Sequence, residues 1–182
     1  MFGGQGSMQM LRVARELGDG VQQILLCGHN AALIDASSAE PCNAPRAVIG
    51  YTADVPHYLR LADFFVGKPG PGCLSEAVHC GLPILTRVDR STLPQERWNA
   101  QWVRDNGLGV VVDSVRGLGE GAREVIDKLA TLRNRTRQMN NRAVWELCSI
   151  AAELLEDHAI ASSRDDDPRD VAMNEGRTAA VI

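Results

Sequence analysis

Three clusters of residues in this chain have types and spacings that could do chemistry. The first is Gly67-Lys68-Pro69-Gly70-Pro71-Gly72, followed one helical turn later by Glu76. It separates an apolar run that reads as a buried strand from a run that reads as a helix. Backbone N–H groups at such a turn point outward, and the helix N-terminus carries partial positive charge, so the place suits an anion such as a phosphate. Glu76 sits on a helix whose neighbouring members Ala77, Val78 and Cys80 are apolar. A carboxylate there can accept hydrogen bonds from sugar hydroxyls. The plain alternative is a tight strand–helix turn with a solvated Lys68 and a surface Glu76.

The second cluster is Gly3-Gly4-Gln5-Gly6-Ser7. Its glycines let the backbone approach a ligand closely, and Ser7 either caps the helix that follows or touches a phosphate. A dinucleotide site would also need an acid near the end of the second strand, for the ribose. That strand ends Leu26-Cys27-Gly28-His29, without one, which counts against NAD. The third cluster is Leu93-Pro94-Gln95-Glu96-Arg97-Trp98-Asn99, in the loop after the next strand. Gln95, Glu96 and Asn99 share one helical turn on the same edge of the sheet, where amides and a carboxylate suit several hydroxyls. They also read simply as a polar first turn. Trp98 and Trp102 read as core residues rather than a stacking platform. His29, at the ligand edge, reads as a loop histidine or a ligand contact. His57 has no evident partner, and His79 packs beside Glu76.

These clusters need elements to position them. Apolar runs at 24–27, 47–51, 64–67, 83–86 and 110–113 read as strands. Helical patterns fall at 7–17, 54–62, 74–80 and 95–105, the last stopped by Asn106-Gly107 with Gly107 left-handed. The alternation argues for βαβ units, a parallel sheet and an α/β, Rossmann-like doubly wound fold. Two further helices are expected, at 118–132 and 136–157, and residues 35–46 read as a loop. From Ser162 the composition becomes charged and poor in apolar residues, so 1–160 reads as one domain and 161–182 as a disordered tail. Met1-Phe2 reads as the end of a strand that is otherwise almost absent. In the doubly wound order that strand lies mid-sheet, so the chain is expected to be a piece of a longer protein or the product of a late start.

The 182 residues suffice for one domain with a real core, and 45% hydrophobic against 23% charged residues is ordinary for a globular protein. A net charge of −4 argues against broad binding to nucleic acid. No apolar stretch is long enough to span a bilayer, and the first residues do not read as a signal peptide. The five cysteines lack CxxC spacing and read as reduced thiols rather than a metal site.

The motifs GGQGS, LLCGHNAAL, GYTADVPHYLRLADFFVGKPGPGCLSEAVHCGLPIL and LPQERWNAQWVRDNGLGVVV resemble, in order and spacing, the C-terminal domain of glycosyltransferase family 28, of the two-domain GT-B fold. The likeness is strongest to the diacylglycerol galactosyl- and glucosyltransferases, the monogalactosyldiacylglycerol synthase group. It covers residues 2–112, and the cell-wall N-acetylglucosaminyltransferase shares the layout more loosely. The resemblance implies a UDP-sugar donor, UDP-galactose or UDP-glucose, with no metal or other cofactor. Gly4, Gly6 and Ser7 then fall near the diphosphate. Tyr51, Thr52 and Val55 fall where the family's backbone holds uracil. Gly70, Pro71 and Gly72 fall on the second phosphate-side loop, and Glu76 on the ribose. Gln95, Glu96 and Asn99 fall on the donor sugar. Cys73 stands where the family usually has a small hydroxyl residue.

The resemblance further implies an inverting transfer of a hexose to a lipid such as diacylglycerol. The acceptor domain and its general base lie outside this chain. The expected partners are a UDP-sugar and, through an acceptor domain, a lipid, and no nucleic acid. The expected location is the cytoplasm or a membrane surface, the plastid envelope in a plant or alga. Two rival readings stand beside it. One is a donor-binding subunit that needs a separate acceptor subunit, as in the two-chain dolichol-linked N-acetylglucosaminyltransferase. The other is a non-catalytic remnant.

Overall fold

The structure is a computed structural model that describes residues 1–165, without the side chains of residues 143, 144 and 157–165. It divides into two units, Met1–Asn140 and Asn141–Ile182.

In the first unit, α1 (Gln9–Leu17) leads through a 3-10 turn (Gly18–Gly20) to β1 (Gln23–Leu26), α2 (Ala31–Ala39) and β2 (Arg46–Ile49). Then follow α3 (Val55–Arg60), β3 (Phe65–Gly67), α4 (Pro71–His79), β4 (Ile84–Arg87), α5 (Pro94–Asp105) and β5 (Gly109–Val112). A 3-10 turn (Val115–Gly117), α6 (Leu118–Asp127) and α7 (Leu129–Gln138) complete it. The second unit holds α8 (Ala143–Asp165). None of the helices searched among the described residues is long and apolar enough to cross a membrane.

The strands are short apolar runs in parallel ladders, as expected from the βαβ alternation. β1 pairs with β2 from Gln23↔Arg46 to Leu26↔Ile49. β4 pairs with β3 on one side (Phe65↔Ile84) and β5 on the other (Ile84↔Gly109). The Rossmann-like expectation is borne out in the alternation and the parallel pairing, but the strands form two sheets, β1–β2 and β3–β4–β5. Between them lies the start of the chain, whose Met1 amino group donates to the Val66 carbonyl at 2.9 Å.

Alternate residues of β3 and β4 face opposite ways. Phe65 and Ile84 join Leu59, Leu74, Ala77, Val103 and Leu108 in one core. Val66 and Leu85 join Val13, Leu118, Ala122 and Val125 in another. A third core joins Met10, Ala14, Leu25, Cys27 and Leu33 between α1, α2 and β1. The buried Gln23 begins β1 because its amide closes the end of α1. It donates to the carbonyls of Ala14 (2.9 Å) and Gly18 (3.2 Å), in the last turn and at the C-cap of that helix.

Three readings need correction. Residues 35–39, read as loop, belong to α2, which starts at the N-cap Asn30, whose side chain accepts from Leu33 N–H. Only Leu33 and Ser37 of this helix are buried, so its apolar spacing is weak. The single helix expected over 118–132 breaks at Lys128 (φ −101°, ψ 10°), which ends α6 and starts α7. The helix expected over 136–157 starts later: residues 136–138 belong to α7, and α8 begins at Ala143 and runs to Asp165. Of the expected tail, residues 166–182 lie outside the described residues.

Candidate functional site

Parallel strands leave their β-to-α turns on one edge. Tyr51–Val55, Gly70–Gly72 and Gln95–Asn99 lie in the turns or first helical turns after β2, β3 and β4, Glu76 lies further along α4, and Gly4, Gly6 and Ser7 lie ahead of α1, against the turn after β1. The first loop is shaped by backbone contact. Gly6 (φ +65°) lies so close to the turn after β1 that a Cβ would sit 2.1 Å from the Cys27 carbonyl oxygen. A Cβ on Gly28 (φ +60°) would sit 2.1 Å from the Gly4 carbonyl oxygen, which also accepts the His29 N–H at 3.0 Å. Glycine is therefore required at both positions. Ser7 accepts the Gln9 N–H at 3.3 Å, so its hydroxyl works at the start of α1.

The second loop begins where Gly67 ends β3. The buried Thr86 hydroxyl donates to the Gly67 carbonyl at 2.8 Å, and a Cβ on Gly67 would lie 2.5 Å from the Met1 carbonyl. Gly70 caps α4 and Pro71 opens it. The first intrahelical bond runs from Leu74 N–H to the Gly70 carbonyl (3.1 Å), so the N–H groups of Gly72 and Cys73 are among the helix's end donors. Cys73, on the first turn of α4, packs half-buried against the core, and burial pushes its thiol pKa up. Glu76 stands exposed one turn further on.

The third cluster braces the second. Lys68 Nζ donates to Glu96 Oε1 at 2.8 Å, and Glu96 is buried, 8% exposed. Asn99 Nδ2 donates to the Pro69 carbonyl at 2.9 Å. The Gly70 Cα faces this pair, and a Cβ there would lie 3.7 Å from Glu96 Oε1. Gln95 is exposed. Lys68 is thus a structural partner of Glu96, a role that a spacing of 28 residues gives no means of seeing.

Tyr51, Thr52 and Val55 follow β2. The Tyr51 ring stacks on His29, centroids 4.0 Å apart and planes 16° apart, and Tyr51 remains 61% exposed. Thr52 Oγ1 accepts the Asp54 N–H (3.0 Å), Asp54 caps α3 by accepting from His57 N–H (3.2 Å), and Val55 packs on the adjoining core. Trp98 is 77% exposed, not core, whereas Trp102 packs against the core as expected. Sequence reasoning missed Arg87, at the end of β4, which donates to Gln9 of α1 and pairs with Asp89. No periodicity marks it, because the signal is a tertiary contact across 78 residues.

Parallel strands under helices, with a glycine turn after β1 and another after β3, make this a Rossmann-like α/β domain. The structure is similar to that of the spinosyn forosaminyltransferase SpnP, with a TM-score of 0.50 and 14% identity over 79% of this chain and 38% of that one. This likeness is one of fold. No family model matches the chain.

In sequence the chain is 30% identical over 155 residues to monogalactosyldiacylglycerol synthase 3 of Arabidopsis thaliana, covering 79% of this chain and 32% of that protein. It is 30% identical over 141 residues to the processive diacylglycerol beta-glucosyltransferase of Bacillus subtilis (strain 168), covering 76% of this chain and 36% of that one. The chain is a homologue of these glycosyltransferases, with a domain like the C-terminal domain of family 28, as its motifs indicated. It spans about a third of the length of the curated relatives it matches.

Proposed function

We propose that this chain is the donor-binding half of an inverting, UDP-sugar-dependent glycosyltransferase that passes galactose or glucose to diacylglycerol. The observation that carries the reading is the glycine-capped N-terminus of α4, with the Met1 carbonyl, just ahead of the first glycine loop, packed on Gly67, in a homologue of diacylglycerol glycosyltransferases. Gly4, Gly6 and Ser7 on one side and Gly70, Pro71 and Gly72 on the other receive the diphosphate. Glu76, exposed on α4, accepts from the ribose hydroxyls. Backbone at Tyr51 and Thr52, with Val55 beneath, holds the uracil. Gln95 reaches the donor sugar, and Glu96 and Asn99 serve it by holding the Lys68–Gly70 turn in place.

The chemistry fits this division. The lipid hydroxyl oxygen attacks the anomeric carbon, its proton passes to a base, and the bond from that carbon to the diphosphate oxygen breaks. UDP leaves with the electron pair. The charge that develops on it is stabilised by backbone N–H groups and the α4 N-terminus, already oriented before the reaction. The lipid site and the base belong to the part of the relatives' length that this chain does not cover. The work takes place in the cytoplasm or at a membrane surface reached through that part, the plastid envelope in a plant or alga.

UDP, and not NAD, should raise the melting temperature of the folded protein by roughly 5–10 °C at a hundredfold excess over its Kd. No shift with UDP, in a protein shown to be folded, would sink the donor-site reading. Glu76→Ala should weaken UDP binding about tenfold, equivalent to ~1.4 kcal/mol, with the melting temperature of the free protein unchanged. Unchanged affinity removes Glu76 from the site.

A second reading, a donor-binding subunit completed by a separate acceptor subunit, is favoured by α8. That helix exposes Trp145, Leu147, Ile150, Leu154 and Leu155. Recovery of hexose transfer on mixing with a separate acceptor-domain polypeptide would select it.

A further inference from the structure

The two loops proposed to receive the diphosphate offer it backbone N–H groups. The one charged side chain in either loop, Lys68, is held by the buried Glu96 at 2.8 Å. A leaving group that gains negative charge is better served when a full positive charge lies close by. Arg87 is placed to supply it. Thr86 is level with Gly67 in the β3–β4 ladder, so Arg87, the last residue of β4, stands one residue beyond the point where the second loop begins. Alternation puts it on the face of Leu85, which packs with Val13 of α1. Its Nη2 donates to Oε1 of Gln9, the first residue of α1 and two residues past Ser7. The guanidinium thus reaches from the strand beside one loop to the helix that starts from the other.

Its surroundings answer only part of its charge. The Arg87 side chain is 12% exposed. Its acidic partner among the described residues is Asp89, whose Oδ1 already accepts the Ser91 N–H (2.8 Å) and the Ser91 hydroxyl (2.6 Å). Its partner on α1, Gln9, is neutral. Burial, and then the charge of Arg12, hold the Arg87 pKa below the ordinary arginine range. An arginine kept this dry has a donor that a phosphate can take over from an amide, because phosphate accepts the same bond with a charge behind it. Gln9 is exposed, so its displaced amide turns to water.

We propose that Arg87 binds the diphosphate of the donor, exchanging its bond to Gln9 for one to a phosphoryl oxygen while Asp89 keeps hold of the rest of the fork. This role rests on the donor-site reading and gives that site the side-chain cation its two loops lack. Arg87 then shares with the α4 N-terminus the charge that UDP gains as it leaves. Asp89 orients the guanidinium and moderates its charge.

The test compares UDP with uridine, as Kd values from NMR titration of the whole chain. Arg87→Gln should lower UDP affinity about twentyfold and leave uridine affinity within about twofold. Arg87→Lys, which keeps the charge without the fork, should recover part of the loss. Asp89→Asn, which releases the guanidinium from its carboxylate, should raise UDP affinity roughly two- to threefold. Arg90→Gln, which removes an exposed arginine from the same turn, should change either affinity by less than about twofold. Equal UDP affinity in the wild type and Arg87→Gln overturns the proposal and leaves the donor-site reading standing, whereas a folded wild type that does not bind UDP overturns both. A loss in Asp89→Asn as large as in Arg87→Gln also overturns the proposal, since Arg87 would then act only by holding the turn at residues 89–92. So does an equal loss of uridine affinity, or an equal loss in Arg90→Gln. Should circular dichroism show Arg87→Gln unfolded, the sign of the Asp89→Asn effect decides.

Discussion

The two glycine loops, one against the turn after β1 and the other after β3, are held by opposite means. The Gly3–Ser7 loop is fixed by backbone fitted against backbone. Gly6 lies on the Cys27 carbonyl and Gly28 on the Gly4 carbonyl, both with positive φ, and the side-chain bond at the start of α1 is the long one from Gln9 N–H to Ser7, at 3.3 Å. The Gly67–Gly72 loop is fixed by side chains brought from α5, through the Lys68–Glu96 pair and the Asn99 bond to Pro69. The first arrangement tolerates almost no added atom. The second can be loosened by degrees, because a surface-reaching lysine can exchange its partner for water.

The sharpest way to break this contrast is a single methyl group. Gly6→Ala and Gly28→Ala place a Cβ 2.1 Å from a carbonyl oxygen at a strained φ, and each should lower stability by about 2–4 kcal/mol in urea denaturation. Gly72→Ala meets nothing within 4 Å and should be neutral or slightly stabilising, by ~0.5 kcal/mol. Equal losses at Gly6 and Gly72 would erase the difference between the loops.

Next in size is the amino group that anchors the first loop. Burial lowers the Met1 ammonium pKa from 8.0 to about 6. Between these values the unfolded chain binds more protons than the folded one, so stability rises with pH through that window, and the full penalty applies below it. The rise should reach about 3 kcal/mol, and acetylation of Met1 should abolish it. Identical pH profiles for the free and acetylated chains would show that the amino group is hydrated.

The smallest effect belongs to the second loop. Lys68 is 42% exposed, so Glu96→Gln leaves a lysine that water can reach, and the loss should be ~1 kcal/mol. Exchange at Gly70 should quicken with it while Gly6 is unaffected. A loss as large as that of Gly6→Ala would mean that the side chains, too, hold their loop without slack.

Much of this arrangement could be read along the chain. Short apolar runs bounded by glycine and proline located all five strands of the described residues within about two residues, and Gly107 does stop α5 with φ +61°. The glycine loops, Glu76 and the polar first turn at residues 95–99 were legible because each is a local pattern with a local cause. What was not legible depends on distance. α2 escaped because few of its residues are buried, and the Lys128 break because apolar spacing continues across it. The pairing of Lys68 with Glu96 escaped because residues 28 apart carry no mutual signal until α5 folds over the turn.

Residue order alone thus determined the βαβ alternation, the placing of glycines where a turn must follow a strand, and the kinship with glycolipid glycosyltransferases. These follow from periodicity, backbone freedom and motif spacing, which are properties of neighbours. Only the tertiary structure decided that the strands form two sheets with Met1 and Phe2 between them. It alone turned Glu96 inward to Lys68. Those are matters of which distant groups meet, and burial and backbone pairing settle them once the chain has closed on itself.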